Sequence, residues 1–229
     1  MIRLKVEDVE GYLGKPVNDP YGRRVGFIIG FYSDSDGNVT SLEVSLGDFE
    51  FKEISIDRFE LDNGNIVLIP EWEYKAKIIE NRLQRLRKRM IALNELFSKK
   101  EVPKHVYEEF KKKVEDELVK TKEDAKNVRE LLKKRLNELE DIMLELEKAM
   151  TSIKVSYLAG EIPEKAYREA ADQIRKHMEY TELERESLRK HLDKIDSLEK
   201  QPLGLPAKTE AKQDVSGTEQ SLPVVVLEA

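Results

Sequence analysis

The stretch that governs the fold of this chain reads "LFSKKEVPKHVYEEFKKKV" (Leu96–Val114), and it recurs 60 residues later as "SYLAGEIPEKAYREAADQI" (Ser156–Ile174). In both copies a Pro follows an aromatic residue by six positions, and a Tyr follows the Pro by four. Proline is tolerated in the first turn of a helix, where its missing N–H has no partner to lose. Each copy therefore predicts a corner between two helices, with Pro103 and Pro163 opening the second helix.

Two corners predict three helices, at about 72–99, 103–158 and 163–199. At about 1.5 Å per residue, the middle helix is roughly 80 Å long. Apolar residues recur at alternating spacings of three and four, which is typical of a coiled coil; in the middle helix they are Leu136, Leu139, Met143, Leu146, Met150, Ile153 and Tyr157. Residues 71–200 are thus expected to form an extended three-helix coiled-coil rod. The stripe around Leu139 and Leu146 is expected to drive self-association of this rod.

Residues 1–70 have a different composition. Eight of the eleven glycines lie between Gly11 and Gly64. Short apolar segments at Arg24–Asp34, Asn38–Leu46 and Asn65–Ile69 alternate with turn formers, which favours antiparallel strands. We predict a small β-barrel that closes its own edges, so that the whole chain belongs to the α+β class.

The C-terminal segment has two parts. Residues 201–220 are rich in Pro, Gly and small polar side chains without periodicity, which predicts a disordered, flexible linker. The last nine residues, "SLPVVVLEA" (221–229), form an apolar β-rich peptide that suits docking onto a partner as an added strand. Pro223 lacks an N–H, so Leu222, Val224 and Val226 share the better edge for main-chain pairing. Val224 and Val226 are expected to form that ladder, with Val225 and Leu227 packing from the alternate face.

Composition excludes several classes of function. The chain has 229 residues, a net charge of −6 and no cysteine, so it has no disulfide scaffold, thiolate metal site or cysteine nucleophile. It has no apolar run of about 18 residues and no signal-peptide pattern at its start, which predicts a cytoplasmic protein. His177 and His191 lie 14 residues apart on one predicted helix, too far to share a metal. We expect no enzymatic activity, no metal and no cofactor.

One basic cluster is a candidate for contact with phosphate groups of DNA or lipid. The segment "RLQRLRKR" (82–89) carries five basic residues and no acidic one. Arg82, Arg85 and Arg89 share one helix face, and Lys88 lies nearby. Such a face can follow phosphates. It can instead pair with the acidic residues of Glu108–Glu117 on the facing helix, and the sequence leaves both readings open.

The order of these parts resembles a known family. The segment Tyr12–Phe51 is similar to the PRC-barrel, with its "GKPV" opening, a "VG" that enters the second strand and a "DGNV" hairpin. A PRC-barrel followed by long helices, a linker and an apolar C-terminal peptide resembles the CdvA family of archaeal cell-division proteins.

The resemblance implies a non-enzymatic scaffold that polymerises at the division site, on the inner face of the cell membrane. Members of that family have also been linked to DNA and hence to the nucleoid. Their C-terminal peptide recruits CdvB, a relative of ESCRT-III, and Leu222–Leu227 occupies the corresponding position here. The rival hypothesis is a nucleic-acid-associated factor that uses the barrel, as in ribosome maturation or DNA organisation.

Overall fold

A computed structural model describes residues 4–47, 49–62 and 64–200. The linker and the docking peptide predicted at 201–229 lie outside the described residues. Six strands precede three long helices, which confirms the predicted order of a β domain followed by a helical part. The elements are α1 (Val6–Val9), β1 (Pro16–Asn18), β2 (Arg24–Ser33), β3 (Val39–Ser45), β4 (Phe51–Ser55), β5 (Phe59–Asp62), β6 (Asn65–Leu68), α2 (Glu71–Ser98), α3 (Lys104–Leu158) and α4 (Glu164–Lys200).

The six strands form one mixed sheet in the order β4-β3-β2-β1-β6-β5. All neighbouring pairs are antiparallel except β1 and β6, which run parallel with Asn18 opposite Val67. The prediction of a purely antiparallel domain was therefore wrong at this pair. Alternating side chains of β2 and β3, including the fully buried Ile28 and Leu42, build the core. Gly26 allows β2 and β3 to approach closely, since a Cβ there would lie 2.0 Å from the carbonyl oxygen of Ser45.

The predicted closure of the barrel was also wrong, because no ladder joins β4 to β5 at the two edges of the sheet. The sheet is nevertheless strongly curved. A flat sheet of six strands would separate its edge strands by about 24 Å. The three-residue turn Ile56–Arg58 connects β4 directly to β5, and a connection this short cannot span that distance. The short turn draws the two edge strands together at one end.

Both corners between the long helices have the same backbone structure. At the first, Lys100 N–H donates to the Phe97 carbonyl and Glu101 N–H donates to the Leu96 carbonyl. The second repeats this pattern, with Gly160 N–H donating to Tyr157 and Glu161 N–H to Ser156. A stacked aromatic pair closes each corner, with ring centroids 4.1 Å apart for Phe97 and Tyr107 and 4.7 Å apart for Tyr157 and Tyr167. Each copy of the sequence repeat thus forms the same structure, a corner between two helices that is closed by a stacked aromatic pair.

The three helices differ in length, so they lie side by side only in part. Helix α2 has 28 residues, α3 has 55 and α4 has 37. Near the start of α2 all three meet, because Trp72 contacts Glu184 of α4 and shares a buried cluster with Leu132 of α3. We call this region the centre. From it, two antiparallel hairpins extend in opposite directions along α3.

We define the first arm as residues 82–120, where the end of α2 pairs with the start of α3. The ion pair of Arg89 with Glu117 and the hydrogen bond from Tyr107 to Asn94 fix its register. We define the second arm as residues 140–183, where the end of α3 pairs with the start of α4. The stacked rings of Tyr157 and Tyr167 lie at its tip. The expected uniform three-helix rod is therefore a three-helix centre with two two-helix arms.

The predicted role of the Leu139 stripe needs correction. Leu139 is fully buried, and it belongs to the same cluster as Ile79 of α2 and Leu188 of α4. Its apolar surface is thus already used inside one chain. Leu139 is therefore not part of a surface available to another molecule, and self-association of the rod stays a prediction.

Candidate partner-binding surfaces

A polar cluster, which we call the junction, joins the sheet to the centre. The carboxylate of Glu184 on α4 is 1% exposed. It accepts hydrogen bonds from Trp72 Nε1 at 3.1 Å and from Arg135 Nε at 2.8 Å, and Arg23 Nη2 lies 2.5 Å away. Burial works to raise the pKa of Glu184, but the hydrogen bonds and positive charges of the two arginines outweigh it and lower that pKa. One ionised carboxylate thus ties together the sheet and all three long helices.

The junction also includes the side chains of Asp19 and Tyr21, which lie near Arg23 in the chain. Asp19 accepts two hydrogen bonds from Arg23, one from its main chain and one from its side chain. The hydroxyl of Tyr21 donates to Glu73 at 2.8 Å. Burial and the neighbouring Glu73 carboxylate together raise the pKa of Tyr21, so this phenol stays protonated. The sheet is therefore attached to the helices by paired charges as well as by apolar contact.

Glu80 forms a second ionic connection between α2 and α4. It is 3% exposed, and it contacts His191 Nδ1 at 2.5 Å and Lys194 Nζ at 2.6 Å. Burial raises its pKa, whereas the hydrogen bonds from His191 and Lys194 lower it by more, and the net direction is down. Both buried carboxylates, Glu184 in the junction and Glu80 here, thus contact basic side chains. Such pairing fits a structural role.

The sequence did not reveal the junction. Trp72 and Glu184 are 112 residues apart in the chain. Within α4, Glu184 is one of many carboxylates, and in the sequence it looks like a solvated flanking position. The available signal was the lone Trp of the chain at the start of α2, because a large side chain at a domain boundary is commonly buried.

The four residues of the predicted phosphate contact are all exposed on α2. Arg82 lies 3.3 Å from Asp124, and Arg89 lies 3.6 Å from Glu117. Arg85 and Lys88 complete the set. The facing helix thus supplies acidic partners for two of them, yet the side chains of Arg82 and Arg89 keep exposures of 57% and 66%. Contact of this stripe with phosphate remains a prediction.

An apolar groove runs along the first arm between α2 and α3. Its floor consists of Leu93, Leu96, Phe110 and Val114, and Arg89, Lys113 and Glu117 form its rim. Two of these floor side chains stay accessible from the open side of the groove, with Leu96 at 40% and Phe110 at 52% exposure. Because this arm has only two helices, part of the apolar surface of each helix stays accessible. The groove has the shape and chemistry that suit another apolar helix face.

The second arm carries an apolar stripe on the outer face of α3. Leu144, Val155 and Leu158 are 53%, 60% and 75% exposed. Their spacing of 11 and 3 residues, with Thr151 between them, places all three on one side of the helix. This side faces away from the buried stripe that contains Leu139. The second arm therefore presents a ridge, whereas the first arm presents a groove.

The two arms also differ in charge. Residues 82–120 contain 12 Lys and Arg against 7 Asp and Glu, a net charge of +5. Residues 140–183 contain 6 Lys and Arg against 10 Asp and Glu, a net charge of −4. The chain is thus electrically bipolar along α3. At short range such opposite fields favour contact between unlike arms and oppose contact between like arms.

Two further properties bear on function. Within residues 4–47, 49–62 and 64–200, no helix has both the length and the apolar character needed to cross a bilayer. Across the same described ranges, His, Asp and Glu side chains form no group of three that could hold a metal ion.

A curved sheet joined by ion pairs to long helical hairpins, with apolar side chains exposed on both hairpins, defines an extended helical scaffold protein. Comparison with known proteins identifies the family to which this scaffold belongs. Residues 71–218 match the family model described as the CdvA-like coiled-coil domain. The chain is 36% identical over 218 residues to "Cell division protein A" of Sulfolobus acidocaldarius, which covers 95% of this chain and 90% of that protein. The chain belongs to the CdvA family, and no solved structure matches it.

Proposed function

We propose that this protein is a non-enzymatic scaffold of archaeal cell division. In this proposal it polymerises in the cytoplasm at the division site, on the inner face of the cell membrane. It then recruits the ESCRT-III-like protein CdvB through its C-terminal peptide. The name of its relative, "Cell division protein A", supports the process, and membership in the CdvA family supports the scaffold class.

The observation that carries the proposal is the arrangement of the helices. A helix of 55 residues, about 80 Å long, holds two arms that extend from one centre and expose apolar side chains near their tips. A protein with an accessible apolar surface on each of two opposite arms can contact two neighbours at once. This supports a structural role in an assembly better than a role in chemistry on a small molecule.

The recruiting element in this proposal is the C-terminal peptide, residues 221–229. Leu222, Pro223, Val224, Val225, Val226 and Leu227 would add one strand to a sheet of the partner. Val224 and Val226 form the main-chain ladder, and Val225 and Leu227 fill apolar pockets. The linker of about 20 residues gives this peptide a reach of roughly 25 Å as a random coil.

Binding of purified CdvB to the full chain and to a chain lacking residues 221–229 tests the recruitment step. We expect the deletion to abolish binding and to leave the melting temperature unchanged. Val225→Asp should act like the deletion, because it places a charge in an apolar pocket. The matched control is Val215→Asp in the linker, which should bind like the wild type. Unchanged binding after the deletion, or a lowered melting temperature, would contradict the proposal.

A second candidate function is association with nucleic acid, and the exposed basic stripe is the observation that favours it. Arg82, Arg85, Lys88 and Arg89 lie on the first arm, whose net charge is positive. The two candidates are compatible, since a scaffold can hold DNA or anionic lipid along one arm. The CdvB-binding test does not depend on this stripe.

A further inference from the structure

We infer that the two arms are the two halves of a head-to-tail contact between copies of this chain, in which the ridge of the second arm enters the groove of the first arm of the next copy. This inference rests on the proposed polymerisation and names the surfaces that produce it. The ridge is Leu144, Val155 and Leu158, and the groove is floored by Leu93, Leu96, Phe110 and Val114.

Shape supports the pairing of unlike arms. The groove lies between two helices, so a third helix that lies in it completes the packing that two helices leave unfinished. The ridge spans residues 144 to 158, about 21 Å of helix. The groove runs from Arg89 to Leu96 on α2 and from Phe110 to Glu117 on α3, about 11 Å on each helix before its side chains are included. The lower part of the ridge, Val155 and Leu158, is short enough to lie within it.

Charge selects the partner. The first arm carries +5 and the second −4, so a groove that meets a ridge joins opposite fields. Two first arms, or two second arms, would bring like charges together, which opposes a symmetric pairing of identical surfaces. Basic rim residues of the groove, Arg89 and Lys113, belong to the positive field of the first arm that the acidic second arm meets. The occupant of the groove is therefore a second copy, and it enters with its acidic arm.

The geometry has a consequence for the assembly. Each copy carries one groove and one ridge on opposite sides of its centre. A contact between unlike surfaces leaves one free groove and one free ridge, so it repeats without limit unless the rotation closes a ring. The structure thereby assigns directionality to the polymer: every copy points the same way along a strand.

The test uses two full-length variants, each altered in one arm only. The groove variant carries Leu96→Asp and Phe110→Asp, and the ridge variant carries Val155→Asp and Leu158→Asp. All four side chains are exposed in one chain, at 40%, 52%, 60% and 75%, so the fold should tolerate the changes. The matched control is Val119→Asp, since Val119 is 67% exposed on the first arm but lies on the side of α3 away from Phe110 and Val114.

Sedimentation velocity gives the decisive readout. Under conditions in which the wild type and Val119→Asp assemble, we expect each arm variant alone to sediment as a single chain of 26.6 kDa. An equimolar mixture should form a complex of one copy of each variant and stop there, because each supplies the surface that the other lacks. Raising the salt concentration should weaken this complex, because the arms are oppositely charged.

Two results would overturn the inference while leaving polymerisation intact: arm variants that assemble like the wild type, or a mixture that stays monomeric although the wild type assembles. A wild type that stays monomeric at every concentration and salt would instead remove the proposed polymerisation. If an arm variant has a lowered melting temperature, Asp141→Lys with Glu147→Lys gives a second test, since it brings the second arm from −4 to 0. Assembly of that variant equal to the wild type would also count against the inference.

Discussion

Two residues at equivalent places in the two corners differ in how well they fit their backbone. Gly160 has φ +74° and Lys100 has φ +59°, and both follow the last turn of a helix. A side chain in this left-handed region costs about 1 kcal/mol, whereas Gly carries no such penalty. The repeat therefore stores a small strain in the first arm only.

This difference predicts opposite effects of exchanging the two residues. Lys100→Gly should raise the free energy of unfolding by roughly 0.5–1 kcal/mol, and Gly160→Lys should lower it by about 1 kcal/mol. Urea unfolding followed by circular dichroism measures both. Lys99→Gly is the control, because φ at Lys99 is −78° and glycine there gains nothing. Changes of the same sign in the free energy of unfolding would contradict this prediction. They would show that the two corners are not structurally equivalent.

Glu184 predicts how the stability of the fold depends on pH. Its pKa in the folded chain lies below its ordinary value, because Arg135 and Arg23 outweigh the effect of burial. A lowered folded pKa stabilises the fold at pH values above the unfolded pKa of about 4.3. That stabilisation is lost as the pH falls through the folded pKa. Glu80 has the same direction of shift and adds to the effect.

Glu184→Gln should therefore lower the free energy of unfolding by roughly 2–3 kcal/mol at pH 7. The reason is that Arg23 and Arg135 lose the negative charge that compensates their own charges in a partly buried site. The difference in stability between variant and wild type should narrow as the pH falls below the unfolded pKa of about 4.3, and it should close once the pH is below the folded pKa, where the wild-type carboxylate is also neutral. Thermal unfolding at a series of pH values measures this gap. The control is Glu182→Gln, an exposed partner of Arg185, which should cost less than about 0.5 kcal/mol. A difference in stability that stays constant with pH would contradict the prediction that Glu184 is ionised in the junction.

At the scale of elements, the helices were readable from the sequence and the small strands were not. The spacing of Phe97, Pro103 and Tyr107, repeated around Pro163, marks the corners because proline and aromatic stacking act locally. Strands β1, β4 and β5 have only three, five and four residues, too few for alternation to stand out. The parallel pairing of β1 with β6 depends on residues nearly 50 positions apart, which local pattern does not encode.

The candidate surfaces divide in a similar way. The basic stripe is visible in the sequence because Arg82, Arg85 and Arg89 are close together in one helix. The groove of the first arm is not, since Leu96 and Phe110 look like ordinary core positions until the overlap of α4 with α2 and α3 is known. Helix α4 reaches the centre and the second arm, and leaves the first arm with two helices. Which apolar residues stay exposed is thus decided by helix overlap and not by periodicity.

The basic stripe of α2 gives a prediction at this scale. If it contacts phosphate, the triple change Arg82→Gln, Arg85→Gln and Arg89→Gln should weaken binding to duplex DNA or anionic vesicles. For DNA the slope of log affinity against log salt should fall by roughly 2.7, about 0.9 for each lost contact. Fluorescence anisotropy with labelled DNA at several salt concentrations measures this slope.

The matched control removes three exposed lysines of α3 outside the stripe, as Lys126→Gln, Lys133→Gln and Lys134→Gln. It changes the net charge equally and should leave the slope nearly unchanged. Equal losses in the two triple variants would assign the effect to overall charge. Unchanged affinity of the arginine variant would show that the stripe serves the ion pairs with Asp124 and Glu117 instead.

At the scale of the whole molecule, the structure joins the sheet, through the centre, to two unlike arms. The junction attaches the sheet to the helices by hydrogen bonds and an ion pair. A unit with one groove and one ridge at opposite ends is suited to repeat along a line. In the proposed function, the C-terminal peptide of each copy would then be displayed at regular intervals for its partner.

The most direct test of this account is electron microscopy of the purified full-length protein over a range of concentrations and salt. The account predicts filaments. If Val155 and Leu158 of one copy lie in the groove of the next, beside Phe110–Glu117, about 43 residues of α3 separate the copies, an axial repeat of roughly 65 Å. Particles that remain single, or that close into small symmetric oligomers under all conditions, would contradict it.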